Sequence, residues 1–198
     1  YELFLDEKGE KISKSKGNGI TINEWLKYAS PESLSLYMYQ NPQRAKKLYH
    51  EVVPKAVDEY LDFIEKFEKQ EDLKKILNPV WHVHNGKPPL EKMIMPFSML
   101  LNLVGTSNAS SKEVLWKFVK KYKKNISEKQ HPIFDKLIEY AINYFNGVVR
   151  LNKKFKKPNK EEKIALNFLI EKLKECDEKM SPEEIQYLIY SAGKENGY

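Results

Sequence analysis

The sequence predicts a mainly all-α protein, a multi-helix bundle with one short strand and a loop at its beginning. Three observations carry this. Apolar residues recur at spacings of three and four from about residue 22 onward; helix-start signals of the Ser/Thr-x-x-Glu kind recur between those stretches; strand-like character is confined to the first few residues.

Glu2-Leu3-Phe4-Leu5 reads as the strand, turning at Asp6-Glu7-Lys8-Gly9 into the loop Lys11-Ile12-Ser13-Lys14-Ser15-Lys16-Gly17-Asn18-Gly19. Thr21 with Glu24 three residues on is a capping box, opening a helix with Trp25, Leu26 and Tyr28. Ser30 caps a second helix with Pro31 at its first position, and Asn41-Pro42 ends it. A third helical piece is expected over Arg44 to Tyr49, and a fourth after Pro54 with Val57, Tyr60, Leu61, Ile64 and Phe67 facing inward.

Residues 78–90 interrupt the helices with Pro88-Pro89 in tandem, a glycine turn at Asn85-Gly86 and two histidines, and read as an ordered connector with Trp81 as a core anchor. His82 and His84 alone are too few for a structural metal site, which needs about four ligands, so no metal is expected. Pro96 to Gly105 is apolar nearly all round and reads as a buried helix ending at a glycine cap. Ser110 with Glu113 opens the next helix. Its lysines Lys117, Lys120, Lys121, Lys123 and Lys124 alternate with Trp116 and Tyr122, the mixture that stacks on unpaired bases, and equally the mixture of any amphipathic helix with bulky core residues.

A long helix follows His131-Pro132. The connector Lys153-Lys154-Phe155-Lys156-Lys157-Pro158 surrounds one aromatic with lysines and reads either as a phosphate-gripping strip or as a solvated loop. Two more helices close the chain, Glu161 to about Cys176 and one capped by Ser181 with Glu184.

The 198 residues carry a net charge of +6, unevenly: residues 111–160 hold 14 Lys/Arg against 4 Asp/Glu, a net +10, leaving −4 elsewhere. Such segregation suits an acidic partner such as RNA, or a helix surface that is only well solvated. No apolar run approaches the roughly 20 residues that span a bilayer, no signal-peptide pattern opens the chain, and the lone Cys176 fits a reducing compartment. A cytoplasmic protein with no membrane partner is expected, as a monomer. The chain starts without Met inside a strand and reads as a fragment.

The loop is the one stretch with the composition of a polyphosphate site. Lysines supply mobile charge, serines supply donors and glycine lets backbone approach closely or move as a lid, although the spacing is not that of a Walker A loop. Lys11-Ile12-Ser13-Lys14-Ser15 resembles the KMSKS signature of class I aminoacyl-tRNA synthetases, with Ile12 in place of methionine and Lys16-Gly17-Asn18 as a frequent extension. Together with Tyr28-Ala29-Ser30-Pro31-Glu32-Ser33-Leu34, Val57-Asp58-Glu59-Tyr60 and Asn78-Pro79-Val80-Trp81-His82-Val83-His84, the chain is similar to the carboxy-terminal half of a class I lysyl-tRNA synthetase, densely to about residue 105 and more loosely beyond.

The resemblance implies an enzyme that activates lysine with ATP, accompanied by Mg2+, and charges tRNA(Lys). It makes Lys14 and Lys11 the catalytic lysines and Ser13 and Ser15, with Lys14, the ATP-binding residues of the loop. It also implies a division into 1–52, the end of the catalytic domain with a tRNA stem-contact segment, and 53–198, an α-helix cage that binds the anticodon. Trp116, Lys117, Lys120, Lys121, Lys124, Lys153, Lys154, Lys156 and Lys157 become candidate tRNA contacts. The HIGH signature of the nucleotide-binding sheet does not occur in these residues, so the fragment alone is expected not to aminoacylate. A glutamyl or cysteinyl synthetase fragment and a non-catalytic helical interaction module are the alternatives.

Overall fold

The computed structural model describes residues 3–13, 15–154, 156–176 and 180–197. The chain divides into two compact units, 1–152 and 153–198.

In the first unit, β1 (Phe4–Leu5) pairs in parallel with β2 (Lys46–Lys47), Phe4 opposite Lys46 and Leu5 opposite Lys47. Leu5 also forms an antiparallel bridge to Lys11, and Ile12 N–H donates to the Phe4 carbonyl at 2.9 Å. The helical piece expected over Arg44 to Tyr49 is therefore corrected. Its Lys46 and Leu48 amides donate to the Leu3 and Leu5 carbonyls at 2.8 Å each, bonds to a strand near the start of the chain that local spacing does not announce.

Lys46 is 7% exposed. Its ammonium donates to the carbonyls of Tyr37 and Met38 in the last turn of the preceding helix, which makes burial of the charge tolerable and caps that helix with a cation where its dipole favours one.

Helix α1 (Ile22–Tyr28) opens on the Thr21/Glu24 capping box, and α2 (Pro31–Tyr39) on Ser30, as their sequences require. The Thr21 amide and hydroxyl donate to the Glu24 carboxylate and hold its pKa below the usual range. Trp25 is fully buried, stacked on Tyr37 with centroids 5.8 Å apart.

Helix α3 (Val52–Lys69) begins two residues before Pro54, which occupies the first turn, where a missing N–H breaks no helical bond. Its stripe Val57, Tyr60, Leu61, Ile64 and Phe67 is buried. The expected domain division at 52/53 falls at the start of this helix, inside the first unit.

After α4 (Asp72–Lys75), the connector expected over 78–90 contains a further short helix, α5 (Pro79–Val83), capped by Asn78. Trp81 is only half-buried, its indole lying over Gly86; Val80 beside it is the fully buried residue. The two histidines go separate ways. His82 Nε2 meets the Ile76 carbonyl at 2.8 Å and His84 Nε2 meets the Tyr60 hydroxyl at 3.0 Å, where burial lowers the His84 pKa.

Helix α6 (Phe97–Ser107) ends on Asn108 in the left-handed conformation (φ 48°, ψ 35°), not on Gly105 as expected. Gly105 lies inside the helix with the Phe145 ring against it, and a Cβ there would stand 3.0 Å from that ring, so the glycine serves close packing. Helix α7 (Lys112–Tyr122) is capped by Ser111, one residue later than expected. The long helix after His131 is α8 (Pro132–Tyr144), then a π turn over Phe145–Val149 and the short α9 (Arg150–Asn152).

Two carboxylates from elsewhere cap helix starts: Asp58 of α3 accepts the Phe97 and Ser98 amides, and Glu91 accepts the Ile133 and Phe134 amides at 2.8 Å each. One core of buried side chains joins α1, α3, α6, α7 and α8.

The second unit is a pair of packed helices, α10 (Lys160–Lys174) and α11 (Pro182–Glu195), each opened by a capping box, Asn159/Glu162 and Ser181/Glu184. Among the described residues no helix is long and apolar enough to cross a membrane.

Candidate functional site

The loop Lys11–Gly19 begins where β1 has turned back on itself. Asp6 is 7% exposed and holds that turn: one carboxylate oxygen accepts the amides of Lys8 at 3.0 Å and Glu10 at 2.8 Å, and the other accepts the Asn18 side-chain amide at 2.7 Å. The Asn18 bond, ahead of the two backbone bonds, holds the Asp6 carboxyl below its ordinary pKa.

Asn18 reaches further. Its Oδ1 accepts the Ser13 amide at 3.0 Å and its Nδ2 approaches the Lys11 carbonyl at 3.3 Å, so one side chain at the loop's exit holds two residues at its entry.

Between these points the chain makes a tight turn. The Lys16 and Gly17 amides donate to the Ser13 carbonyl at 3.1 and 3.0 Å, and Gly17 takes φ +59°, a conformation glycine reaches without steric cost. Gly19 is needed for space: a Cβ there would stand 2.6 Å from Ile12 Cδ1 and 2.8 Å from its Cγ2. The apolar residue of the Lys-Ile-Ser-Lys-Ser run is thus the loop's packed foot.

The candidate site residues fall as follows. Lys11 and Ser15 are exposed, and Ser13 and Ser15 hydrogen-bond to each other, Oγ to Oγ at 2.8 Å. Lys14, the leading catalytic candidate, lies outside the described residues. Lys16 pairs with Glu10 at 3.7 Å, both side chains well exposed, an ion pair of little energetic weight. An open cleft of about 620 Å³ beside the loop is lined by Lys8 and Lys16 but also by Asp6, Glu7, Glu10 and Glu51, so these side chains alone do not form a ready anion site.

On α7 the structure separates what the sequence interleaved. Lys117, Lys120, Lys121 and Lys124 are exposed. Trp116 is 2% exposed: its ring lies edge-on to Phe134 at 5.5 Å and its N–H donates to Asp135 Oδ1 at 2.9 Å. Its place is in the core, not on the lysine-bearing surface. The surface aromatic is Tyr122, 65% exposed. Lys120 and Lys121 lay their ammonium groups over the Trp116 and Phe118 rings, 5.6 and 5.4 Å from the centroids, so the aromatics here support lysines.

The other lysine group belongs to the second unit. Lys153, Lys154 and Lys157 are exposed, Lys156 pairs with Glu162 at 3.0 Å, and Phe155, the aromatic among them, lies outside the described residues.

Sequence reasoning named Asn18 only as part of a motif and Asp6 only as the first residue of a turn. An Asp in a turn twelve residues before an Asn is a weak signal, because the pairing depends on how β1 and the loop fold together.

The family described as tRNA synthetases class I (K) matches residues 1–87. Lysine–tRNA ligases of Rickettsia peacockii (strain Rustic) and Rickettsia rickettsii (strain Sheila Smith) are each 46% identical to this chain over 200 aligned positions, which take in all of this chain and 38% of each relative. That of Rickettsia felis is 45% identical over the same extent. No solved structure gives a significant match. The class I (K) family thus matches the loop-bearing residues, and the whole chain is similar to lysine–tRNA ligases, of whose length it spans 38%.

Proposed function

We propose that the intact protein is a lysine–tRNA ligase of class I, a translation enzyme of the cytoplasm that activates lysine with ATP and transfers it to tRNA(Lys), and that this chain supplies its KMSKS-type loop and part of its tRNA-binding surface. The observation that carries the reading is the whole-chain identity of 46% with lysine–tRNA ligases in a sequence that keeps Lys11-Ile12-Ser13-Lys14-Ser15.

Adenylate formation moves negative charge onto the departing pyrophosphate. A loop lysine that approaches the triphosphate as this happens stabilises the transition state more than the ground state. Lys14 takes that role, Lys11 assists, and the hydroxyls of Ser13 and Ser15 bind ATP. Among the described residues no group of three or more His, Cys, Asp or Glu side chains could hold a metal ion.

The tRNA is bound by residues 53–198. On α7 the exposed Lys117, Lys120, Lys121 and Lys124 bind phosphates, with Trp116 holding the helix in place from beneath. Lys153, Lys154, Lys156 and Lys157 form a second basic group.

Lys14→Ala in the intact enzyme is expected to slow lysine-dependent pyrophosphate exchange about 100- to 1,000-fold, the usual cost of removing one preorganised charge-stabilising group, with tRNA affinity little changed. Unchanged exchange would refute the assignment. Retention of tRNA(Lys) over an anticodon-substituted tRNA tests the anticodon role, and equal retention of the two would sink it.

A further inference from the structure

We propose that Asn18 and Asp6 are positioning residues for the Lys11–Ser15 loop: a latch that ties the loop's exit to its entry and fixes the backbone at Lys11 and Ser13. The proposal rests on the reading of that loop as the ATP-assisting segment.

The geometry is specific to an amide at position 18. On one planar group, Oδ1 must accept from the Ser13 amide at 3.0 Å while Nδ2 donates to Asp6 Oδ2 at 2.7 Å and approaches the Lys11 carbonyl at 3.3 Å. A carboxylate there would face the Asp6 carboxylate, and an alanine would reach neither partner. Asp6 in turn is tied by its other oxygen to the Lys8 and Glu10 amides.

The backbone behind Asp6 is tied into the sheet. Leu3 and Leu5 on either side of Phe4 accept from the Lys46 and Leu48 amides, and β2 leads into the buried start of α3. The loop's entry is registered to β1 by the Leu5–Lys11 bridge and the Ile12 N–H bond to Phe4, and its exit is tied to that entry by the Asn18–Asp6 side-chain pair and by the Ile12 contact on Gly19. Neither Asn18 nor Asp6 needs to touch ATP for this; they act through the backbone at Lys11 and Ser13.

The exchange of partners gives the test. In the intact ligase, Asn18→Asp and Asn18→Ala are each expected to slow lysine-dependent pyrophosphate exchange about 100-fold, the scale of a misplaced catalytic group, with the KM for lysine and tRNA(Lys) retention unchanged. The double variant Asp6→Asn with Asn18→Asp re-forms the pair with donor and acceptor reversed and keeps an acceptor for the Ser13, Lys8 and Glu10 amides, giving up only the longer approach to the Lys11 carbonyl, and is expected to recover to within about tenfold of the parent.

Parent-like exchange by both single variants, beside slowed exchange by Lys14→Ala, overturns the latch and leaves the loop reading standing. A double variant as slow as the singles, with an unchanged melting temperature, overturns it too. Parent-like exchange by Lys14→Ala overturns the loop reading and the latch with it.

Discussion

The loop Lys11–Gly19 and the helix face Lys117–Lys124 are alike in composition, rich in lysine with apolar residues interspersed, and opposite in how they are held. The helix face is local: α7 forms from its own periodicity and a Ser111 cap, is seated by Leu115, Trp116 and Val119, and two of its lysines, Lys120 and Lys121, lie over aromatic rings. The loop has no repeating bonds of its own. Its shape depends on Asp6, Asn18 and the space left at Gly19. Lysines of the first kind are interchangeable units of charge, whereas lysines of the second kind depend on a frame. Scaffold changes should therefore act cooperatively in the loop and surface changes additively on the helix.

Four measurements would break or sharpen that contrast. The largest effect is expected at the seat of the helix. Trp116→Ala removes a fully packed indole and leaves the Asp135 carboxylate without that donor, and urea unfolding should show a loss of about 3–5 kcal/mol, the usual cost of truncating a buried aromatic. A change under about 1 kcal/mol would mean that Trp116 does not seat α7.

Next comes Gly19→Ala, whose methyl must displace Ile12. Thermal denaturation should show about 1–3 kcal/mol of destabilisation, and Ile12→Ala added to it should recover much of the loss by making room. Additive losses in the pair would show that the two residues do not share a packing site.

The third measurement is a titration. Because the folded Asp6 pKa lies below its ordinary value of 3.8, the carboxylate stabilises the turn fully above the ordinary range, and that stabilisation is lost as pH falls through the lowered pKa. The Asp6 carboxyl carbon should therefore titrate below 3.8 by NMR, and in Asn18→Ala its midpoint should move up. An unmoved midpoint would deny the Asn18 bond its leading part.

The smallest effects belong to single surface lysines. Lys117→Ala or Lys121→Ala should leave the fold intact, weaken tRNA retention modestly, and reduce the slope of log affinity against log salt by about 1 for each phosphate no longer neutralised. Slopes that do not change would leave these lysines as solvated surface.

Local patterns are legible in the sequence. Thr21/Glu24, Ser30-Pro31 and Ser181/Glu184 open the helices they announce, because a capping box is complete within four residues. The buried stripe of α3 follows from its spacing alone. Features that join distant residues are not legible. Arg44 to Tyr49 has no local signal of a parallel partner in β1, and the Asp58 and Glu91 caps act on amides far along the chain. Gly105 reads as a helix end because glycine ends helices often, yet the ring of Phe145 claims the space and the end passes to Asn108. Trp116 reads as a stacking platform because helical spacing places it beside lysines, and only the packing of α7 on α8 turns it inward.

By itself, the sequence determined that this chain is helical, that its positive charge is gathered after residue 110, and that residues 11–15 carry a Lys-Ile-Ser-Lys-Ser run. Each of these is a matter of residue type at short spacing, where propensity, capping and charge act without reference to the rest of the fold. Only the tertiary structure decided that an amide at the loop's exit holds its entry, that Ile12 needs a glycine beneath it, and which aromatics reach solvent. Those outcomes depend on which distant groups the packed core brings within hydrogen-bonding or van der Waals distance, and no short-range pattern records that.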